Sequence, residues 1–279
     1  MAGRPRVVRI RSENNDFQYA DTLRRRREKR HRQRELFVEG VRPINLAVRH
    51  RWRVRAFLYT RDRRLSGWAE DVLRATPADV HYELTGALMA RLSGKSEPSE
   101  LIALVAMPPD DMARIPTPDD ALVVVFDRPA SPGNLGTIIR SCDALGAHGL
   151  VMTGHGVDLY DPETISASTG SLFALPCVRL PSQARLLPWL ARLRERRAGR
   201  VTLVGSDEKG GVAADEHDFR GPTVLVIGNE TWGMSAAYRD LCDTVVKIPM
   251  SGAASSLNVA NATSILLYEA ARQRRRNPL

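Results

Sequence analysis

Polar residues and glycines follow three apolar stretches in the part of the sequence after residue 120, and each stretch predicts a strand. In chain order they are Asn134 and Arg140, then Gly228, Asn229 and Glu230, then Ser256 and Asn258. Together they offer a guanidinium, a carboxylate, amides and a hydroxyl, which can bind and orient a polar substrate. In an open α/β sheet such loops lie at the carboxyl ends of strands, where backbone N–H groups face ligands. The sequence therefore predicts one site assembled from three loops.

Spacing excludes two common classes of site. No Gly-x-Gly-x-x-Gly follows an apolar run, so the phosphate-binding turn of a Rossmann-type dinucleotide or methyltransferase site is missing. The cysteines, at positions 142, 177 and 242, form no Cys-x-x-Cys motif and no cluster with histidine. We therefore expect buried free thiols and no metal site.

The three clusters resemble, in order and spacing, the signature motifs of the SpoU (TrmH) family of RNA ribose 2′-O-methyltransferases, members of the SPOUT class. The matching segments are Asn134-x-Gly136-x-x-x-Arg140, then Ile227-Gly228-Asn229-Glu230-x-x-Gly233-Met234-Ser235, then Ile248-Pro249-Met250-x-Gly252 followed by Ser256-Leu257-Asn258-Val259-Ala260. The resemblance covers residues 122–274. It implies a parallel-sheet domain with a deep trefoil knot, in which the last helix is threaded through a preceding loop, against the general rule that chains are unknotted.

The resemblance also implies that S-adenosylmethionine binds in the knot, held mainly by backbone groups. Carried over position by position, the cofactor-binding residues are Ser206, Gly228, Asn229, Glu230, Ile248, Pro249, Gly252, Ser256 and Leu257. We expect backbone contacts from Gly228, Ile248 and Leu257. Glycines 228 and 252 would allow close backbone approach. For each glycine alone, an ordinary strand or helix end is the alternative.

The positions that match the catalytic residues of the family are Asn134, Arg140, Glu230, Ser256 and Asn258. Methyl transfer to a ribose oxygen is an in-line displacement that needs alignment and stabilisation of developing negative charge. In the family this arginine is proposed to activate the hydroxyl, but arginines stay protonated. We therefore expect Arg140 to bind the phosphate and to acidify the 2′-hydroxyl electrostatically.

The other catalytic positions have supporting roles in this reading. We expect Arg140 and Asn134 to face one cavity, and Glu230 to hold one of them in place. Ser256 and Asn258 would orient the ribose or the methionine end of the cofactor. The alternatives are a helix N-cap for Ser256 and a surface ion pair for Arg140.

Alternating strands and helices must position these loops, which predicts an α/β fold throughout. In the C-terminal part the strands are continuous apolar runs, typical of a parallel sheet. We expect strands at 122–126, 149–152, 201–204, 224–227 and 244–248, and helices at 137–145, 163–168, 183–196, 237–241 and 257–273. In the N-terminal part we expect strands at 36–39, 54–59, 80–83 and 101–107, and helices at 43–49, 67–75 and 85–92.

Composition divides the chain into four parts. Residues 1–20 are polar and lack hydrophobic periodicity, which predicts a flexible basic tail. Residues 21–107 resemble the smaller L30e-like, RNA-binding α/β domain of SpoU enzymes, notably at Phe37-Val38-Glu39-Gly40. Residues 108–120 are rich in proline and aspartate, which predicts a semi-rigid linker. Residues 121–279 would form the knotted methyltransferase domain.

The net charge of +9 lies entirely in the first 110 residues, and the remainder is neutral. A compositional bias explains why arginine replaces lysine, but not this asymmetry. Segment 24–34 concentrates arginines, which favours contact with phosphates, a solvated helix being the alternative. We therefore expect RNA to bind through the basic N-terminal domain.

The L30e-like extension implies ribosomal RNA, above all 23S rRNA, as substrate, and the resemblance implies a homodimer formed through the knotted domain. Segment 37–59 is most similar to enzymes of the avilamycin-resistance type, which implies antibiotic resistance. A tRNA methyltransferase and a non-catalytic RNA-binding or assembly factor are the alternatives, and the complete catalytic set argues against the second. No apolar stretch approaches about 20 residues, and the first twenty residues lack a signal-peptide core. We expect a cytoplasmic protein without membrane contact.

Overall fold

The computed structural model describes residues 5–94 and 97–276. Its strands are β1 (Arg6–Ile10), β2 (Glu35–Glu39), β3 (Val54–Thr60), β4 (Val80–Leu84), β5 (Leu101–Ala106), β6 (Leu122–Asp127), β7 (Gly149–Thr153), β8 (Cys177–Leu180), β9 (Thr202–Ser206), β10 (Val212–Ala213), β11 (Thr223–Ile227) and β12 (Thr244–Lys247). Its α-helices are α1 (Asn15–Arg25), α2 (Arg27–Gln33), α3 (Val41–Arg49), α4 (Gly67–Ala75), α5 (Gly86–Leu92), α6 (Pro132–Ala144), α7 (Pro162–Ala167), α8 (Ser171–Ala174), α9 (Leu187–Arg196), α10 (Ala236–Leu241) and α11 (Val259–Arg276). Within these two ranges, no helix combines the length and the apolar character needed to cross a membrane.

The chain forms two compact units. The first contains the described residues up to Pro108 together with Asp158–Ala174, and the second contains the rest of the described residues. The predicted boundaries place Asp158–Ala174 in the C-terminal domain, whereas the folded chain packs this segment with the first unit. This segment packs on the first unit, where the indole N–H of Trp52 donates to the carbonyl of Phe173 at 3.0 Å. Because Trp52 and Phe173 are 121 residues apart, no local sequence pattern predicts this contact.

The sheet of the first unit has the order β1-β4-β3-β5-β2, and α1 and α5 pack their apolar side chains against one of its faces. Strand β1 pairs in parallel with β4, from Arg6 beside Val80 to Ile10 beside Leu84. The predicted flexible tail is therefore wrong for the described part of residues 1–20. Residues 1–4 lie outside the described ranges. Strand β1 is only five residues long, arginines occupy two of its positions, and its partner lies far along the chain.

The arginine-rich segment contains one residue with a structural role. Arg30 is 1% exposed, and its guanidinium pairs with Asp158 at 2.7 Å and with Asp161 at 3.0 Å. It also donates to two backbone carbonyls of α1. Phosphate contact is therefore ruled out for Arg30, whereas Arg26 and Arg32 are exposed.

The predicted linker belongs to the second unit. Ile115 is 3% exposed and lies in the core of that unit, and Arg114 donates to the carbonyl of Cys177 at 3.0 Å. Asp110 forms an ion pair with Arg179 at 2.6 Å. These contacts hold segment 109–120 against its unit, and the boundary between the two units falls at Pro108, inside the predicted linker. Prolines and aspartates dominate this segment, so its composition did not indicate that the side chain of Ile115 is buried in the core.

The second unit contains a sheet of order β10-β12-β9-β11-β6-β7-β8 in which every pairing is parallel. The predicted parallel-sheet domain is confirmed, and its central strand β11 is buried along its whole length. Sequence patterns missed the short strands β8 and β10, which lie at the two edges. The carboxyl ends of β6, β9, β11 and β12 bring four loops to one edge. The trefoil knot stays a prediction.

Candidate functional site

The loop after β11 is closed by its own hydrogen bonds. The backbone N–H and carbonyl groups of Asn229 and Gly233 pair reciprocally, both at 2.9 Å. The side-chain carbonyl of Asn229 accepts the N–H groups of Thr231 and Trp232. A Cβ on Gly228 would lie 2.2 Å from the backbone nitrogen of Met234. Only glycine therefore allows this closure, which presents residue 230 towards the loop after β6.

Glu230 connects the second motif to the first. Its carboxylate accepts the backbone N–H groups of Ala130 at 2.8 Å and Ser131 at 3.0 Å, and the side-chain amide of Asn134 at 3.4 Å. Ser131 in turn caps α6 by accepting the N–H of Asn134. Of the two partners expected for Glu230, the structure shows Asn134. The carboxylate is therefore occupied in positioning the start of α6.

Asn258 adds the third motif. Its side-chain N–H donates to the side-chain carbonyl of Asn134 at 3.2 Å, and its own carbonyl accepts the N–H of Ala260 at 2.9 Å. Asn258 is therefore the N-cap of α11, and the alternative that Ser256 caps this helix is wrong. Glu230, Asn134 and Asn258 form one hydrogen-bonded chain across the three loops.

A cavity of about 390 Å³ lies beside this chain. The predicted cofactor residues that line it are Ser206, Gly228, Asn229, Glu230, Ile248, Ser256 and Leu257. Pro249 and Gly252 do not line it, and a Cβ on Gly252 would meet nothing within 4 Å. The protein's own backbone closely approaches position 228, as expected for a glycine there. No atom of the described residues closely approaches position 252.

Sequence reasoning missed a charged group in the same cavity wall. The carboxylate of Asp207 accepts the backbone N–H of Lys209 at 2.9 Å and the guanidinium of Arg239 at 2.7 Å. Burial alone would raise the pKa of Asp207, but these two donors lower it below its ordinary value. All three residues line the cavity. Asp207 could have been predicted as a site residue, because it directly follows the predicted site residue Ser206 at the end of a strand.

Arg140 is not among the residues that line the cavity. It is exposed on α6, and it has neither a hydrogen-bonded nor an ion-paired partner among the residues in ranges 5–94 and 97–276. Neither Arg140 nor Asn134 lines this cavity, and the expectation that the two face one substrate space stays a prediction. The alternative of a surface ion pair is not met. The guanidinium is therefore available for an anionic group from outside the chain.

Comparison with known proteins assigns the family. Residues 121–268 match the SpoU rRNA methylase family, and residues 14–103 match the SpoU L30e-like domain. The chain belongs to the SpoU rRNA methylase family. Both resemblances read from the sequence are confirmed.

One relative and two solved structures match nearly the whole chain. The 23S rRNA (uridine(2479)-2′-O)-methyltransferase of Streptomyces viridochromogenes is 51% identical over 272 residues, which cover 97% of this chain and 94% of the relative. The crystal structure of the SpoU methyltransferase AviRb from that organism, in complex with AdoMet, matches with a TM-score of 0.89 over 94% of this chain and 98% of AviRb. An AdoMet-bound rRNA methyltransferase from Sinorhizobium meliloti, 28% identical, matches with a TM-score of 0.84 over 97% of this chain and 98% of its own.

Arg128 lies just outside the SpoU motifs that the sequence revealed. Its backbone has a φ of 51°, in the left-handed region that non-glycine residues seldom adopt. The guanidinium donates to Asp127 at 3.0 Å and to the carbonyl of Gly233 at 3.2 Å, while its own carbonyl accepts the side-chain amide of Asn229 at 2.6 Å. Arg128 thus fastens both ends of the loop that carries Glu230. Nothing in the residue pattern points to this role.

Proposed function

We propose that this protein methylates a ribose 2′-hydroxyl in 23S rRNA with S-adenosylmethionine as methyl donor. The observation that carries the proposal is the hydrogen-bonded chain Glu230–Asn134–Asn258, which joins the three motif loops beside a ligand-sized cavity. The relative that is 51% identical over nearly the full length acts on uridine 2479 of 23S rRNA. We propose the equivalent uridine as the target.

The cavity fits the cofactor. Its volume of about 390 Å³ falls within the range of roughly 300–1,000 Å³ typical of ligand sites. Its wall combines the apolar side chains of Ile248, Leu257 and Val259 with the backbone of Gly228. We assign the cofactor to these residues, with Ser206, Asn229, Glu230, Pro249, Gly252 and Ser256 as the remaining candidates. When bound, the cofactor supplies a methyl group on a positively charged sulfur.

The protein's own contribution is alignment and electrostatics. Glu230 holds the start of α6 through its contacts with Ala130, Ser131 and Asn134, so it acts as a positioning residue rather than as a base. Asn134 and Asn258 orient the ribose. Arg140, exposed and without a partner in the described part of the chain, binds the phosphate beside that ribose. A fixed positive charge there stabilises the oxyanion that develops on the 2′-oxygen.

Ribosomal RNA is favoured over tRNA because the likeness to the 23S rRNA enzyme includes the L30e-like domain. RNA binding is proposed for that basic domain. Modification of this nucleotide would protect ribosomes against an antibiotic of the avilamycin class, and an rRNA substrate favours a cytoplasmic location. A non-catalytic assembly factor is the second candidate, and binding of S-adenosylmethionine would argue against it.

A homodimer formed through the second unit is also proposed. Helix α11 exposes Ile265 and Tyr268, at 42% and 53%, although both are large apolar residues. Exposed apolar side chains of this size on a helix favour burial against a partner. Light scattering coupled to size exclusion should give twice the mass of the chain, and a double substitution, Ile265→Glu with Tyr268→Glu, should give the monomer.

The main experiment incubates the protein with 23S rRNA and S-adenosylmethionine and maps ribose methylation by primer extension at low dNTP. A stop at the target uridine that requires both components supports the proposal. Calorimetric titration with S-adenosylmethionine is done in parallel. Tight cofactor binding without methylation of any rRNA or tRNA would leave the enzyme assignment without a substrate, and absence of both would overturn it.

A further inference from the structure

A second cavity, of about 520 Å³, lies in the first unit and belongs to no motif. Its floor is formed by Tyr59 and His81, which lie on the neighbouring parallel strands β3 and β4. Their rings pack edge to face, with centroids 6.0 Å apart. Both residues are on the sheet face opposite Ala56 and Leu58, whose side chains belong to the core under α1 and α5. The cavity therefore occupies the face that this core does not use.

His81 leaves a buried polar atom without a partner. The residue is 6% exposed, and its Nε2 has no hydrogen-bond partner among the described residues. Burial lowers the pKa of His81 below its ordinary value, although the charge of Glu83 acts in the opposite direction, so the neutral form of the ring is favoured. A buried, unpaired ring nitrogen costs free energy that a bound ligand can recover. A neutral hydrogen-bonding group of a ligand in the cavity could pair with this nitrogen.

The rim has the opposite character. Arg61, Arg63, Arg64 and Arg74 line it, with Glu70 as the acidic residue among the lining side chains. All four arginines are exposed, and Arg64 has no hydrogen-bonded or ion-paired partner in the part of the chain that the structure describes. The rim therefore presents an excess of positive charge at the cavity mouth.

Two of these arginines have exposed partners that a ligand can replace, whereas Arg61 pairs with Glu83 at 2.8 Å. Arg74 pairs with Asp71 at 3.3 Å, both side chains being 74% exposed, and Arg63 donates to a backbone carbonyl at 3.3 Å. Exposed pairs of this kind contribute little to stability. Phosphate oxygens arriving from outside would bind the same guanidinium groups with the release of counterions.

We infer that this cavity binds one unpaired nucleotide of the RNA substrate, with the base directed at His81 and the flanking phosphates held by the arginine rim. The inference rests on the proposed function, because it names the part of the first unit that recognises the RNA. A base edge supplies the neutral hydrogen-bonding group that Nε2 lacks, and a phosphate alone would leave most of the cavity volume unused. Unstacked bases are the features by which single-stranded RNA is usually read.

The test measures binding of a 23S rRNA transcript that contains the target uridine, by filter binding at several salt concentrations. The double variant Arg64→Ala/Arg74→Ala should bind roughly tenfold or more weakly, and its salt slope should fall by about one for each phosphate that it no longer binds. His81→Phe keeps the ring packing with Tyr59 and should weaken binding roughly three- to tenfold without changing the salt slope. Arg192→Ala, an exposed arginine on α9, is the matched control and should bind like wild type.

Two further measurements separate this inference from the proposed function. At saturating RNA the Arg64→Ala/Arg74→Ala variant should methylate at the wild-type rate and bind S-adenosylmethionine equally well. The side-chain nitrogen signals of His81 in the ¹⁵N-labelled wild-type chain should shift with adenosine, guanosine, cytidine or uridine monophosphate, and not with inorganic phosphate. That spectrum tests the cavity even if no RNA is methylated. Wild-type binding by both the arginine and histidine variants, or an unmoved His81 signal, would overturn the inference.

Discussion

The side-chain amide of Asn258 donates to the side-chain carbonyl of Asn134 at 3.2 Å, although 124 residues separate them. The carbonyl of Asn258 simultaneously caps α11. Aspartate at position 258 would keep the cap and remove the donor, so Asn258→Asp should retain the melting temperature while its methylation rate falls about 100-fold, the usual cost of a misplaced reacting group. Asn258→Ala should lack both, with a loss of about 1 kcal/mol of stability. Equal rates for Asn258→Asp and wild type would remove the donor from the mechanism.

Gly228 is the second position where one atom decides the site. A Cβ there would lie 2.2 Å from the backbone nitrogen of Met234, a distance that requires the backbone to move. Gly228→Ala should therefore reopen the closed loop and abolish detectable binding of S-adenosylmethionine by calorimetry. Gly221→Ala is the control, since its Cβ would meet nothing within 4 Å and Gly221 does not line the cavity, and it should bind within a few-fold of wild type. The reverse order of affinities would show that the cavity is not the cofactor site.

Residue patterns predicted those parts of the fold that depend on local sequence. Strands β7 and β11 are buried and consist of continuous apolar runs. Because burial requires apolar residues, the same runs identify these strands in the sequence. The order of the motifs led us to expect three loops in one place, and Glu230, Asn134 and Asn258 do meet. Local chemistry was therefore enough to find the centre of the site.

Contacts between distant segments were not predictable in this way. Arg30 lies in a run of charges and reads as solvent-exposed, yet its two carboxylate partners are 128 and 131 residues away. Strand β1 is equally hidden, since only the pairing with β4 explains why it is a strand. The guanidinium of Arg128 donates to the carbonyl of Gly233, and its backbone carbonyl accepts the side-chain amide of Asn229; only the folded chain brings these groups together. Roles of this kind can be identified only in the folded structure.

Arg140 should matter for chemistry and not for folding. Because it is exposed and unpaired within the described residues, Arg140→Ala should change the free energy of unfolding by no more than about 0.5 kcal/mol. Removal of the charge beside the 2′-oxygen should reduce methylation at least about 100-fold, with cofactor affinity within a few-fold. Single-turnover methylation and calorimetry measure the two quantities. Activity close to wild type would exclude Arg140 from the mechanism.

The buried pair of Arg30 and Asp158 should make the first unit sensitive to acid. Burial alone would raise the pKa of Asp158, but the hydrogen bond from His31 and the Arg30 guanidinium together lower it to about 2. A carboxyl whose pKa is lowered on folding stabilises the protein above its ordinary pKa, and this contribution is lost as the pH falls from about 4 towards 2.

Asp158→Asn leaves Arg30 buried without its full charge partner, so at pH 7 it should cost about 3–5 kcal/mol. Urea unfolding of wild type and variant should show that this difference shrinks by pH 3, because the carboxyl of Asp158 then takes up a proton in the unfolded chain while it stays mostly ionised in the folded chain. Asp71→Asn changes a side chain that is 74% exposed, and it should leave the free energy of unfolding unchanged at both pH 7 and pH 3. A difference that stayed constant between pH 7 and pH 3 would mean that the ion pair is not what stabilises this contact.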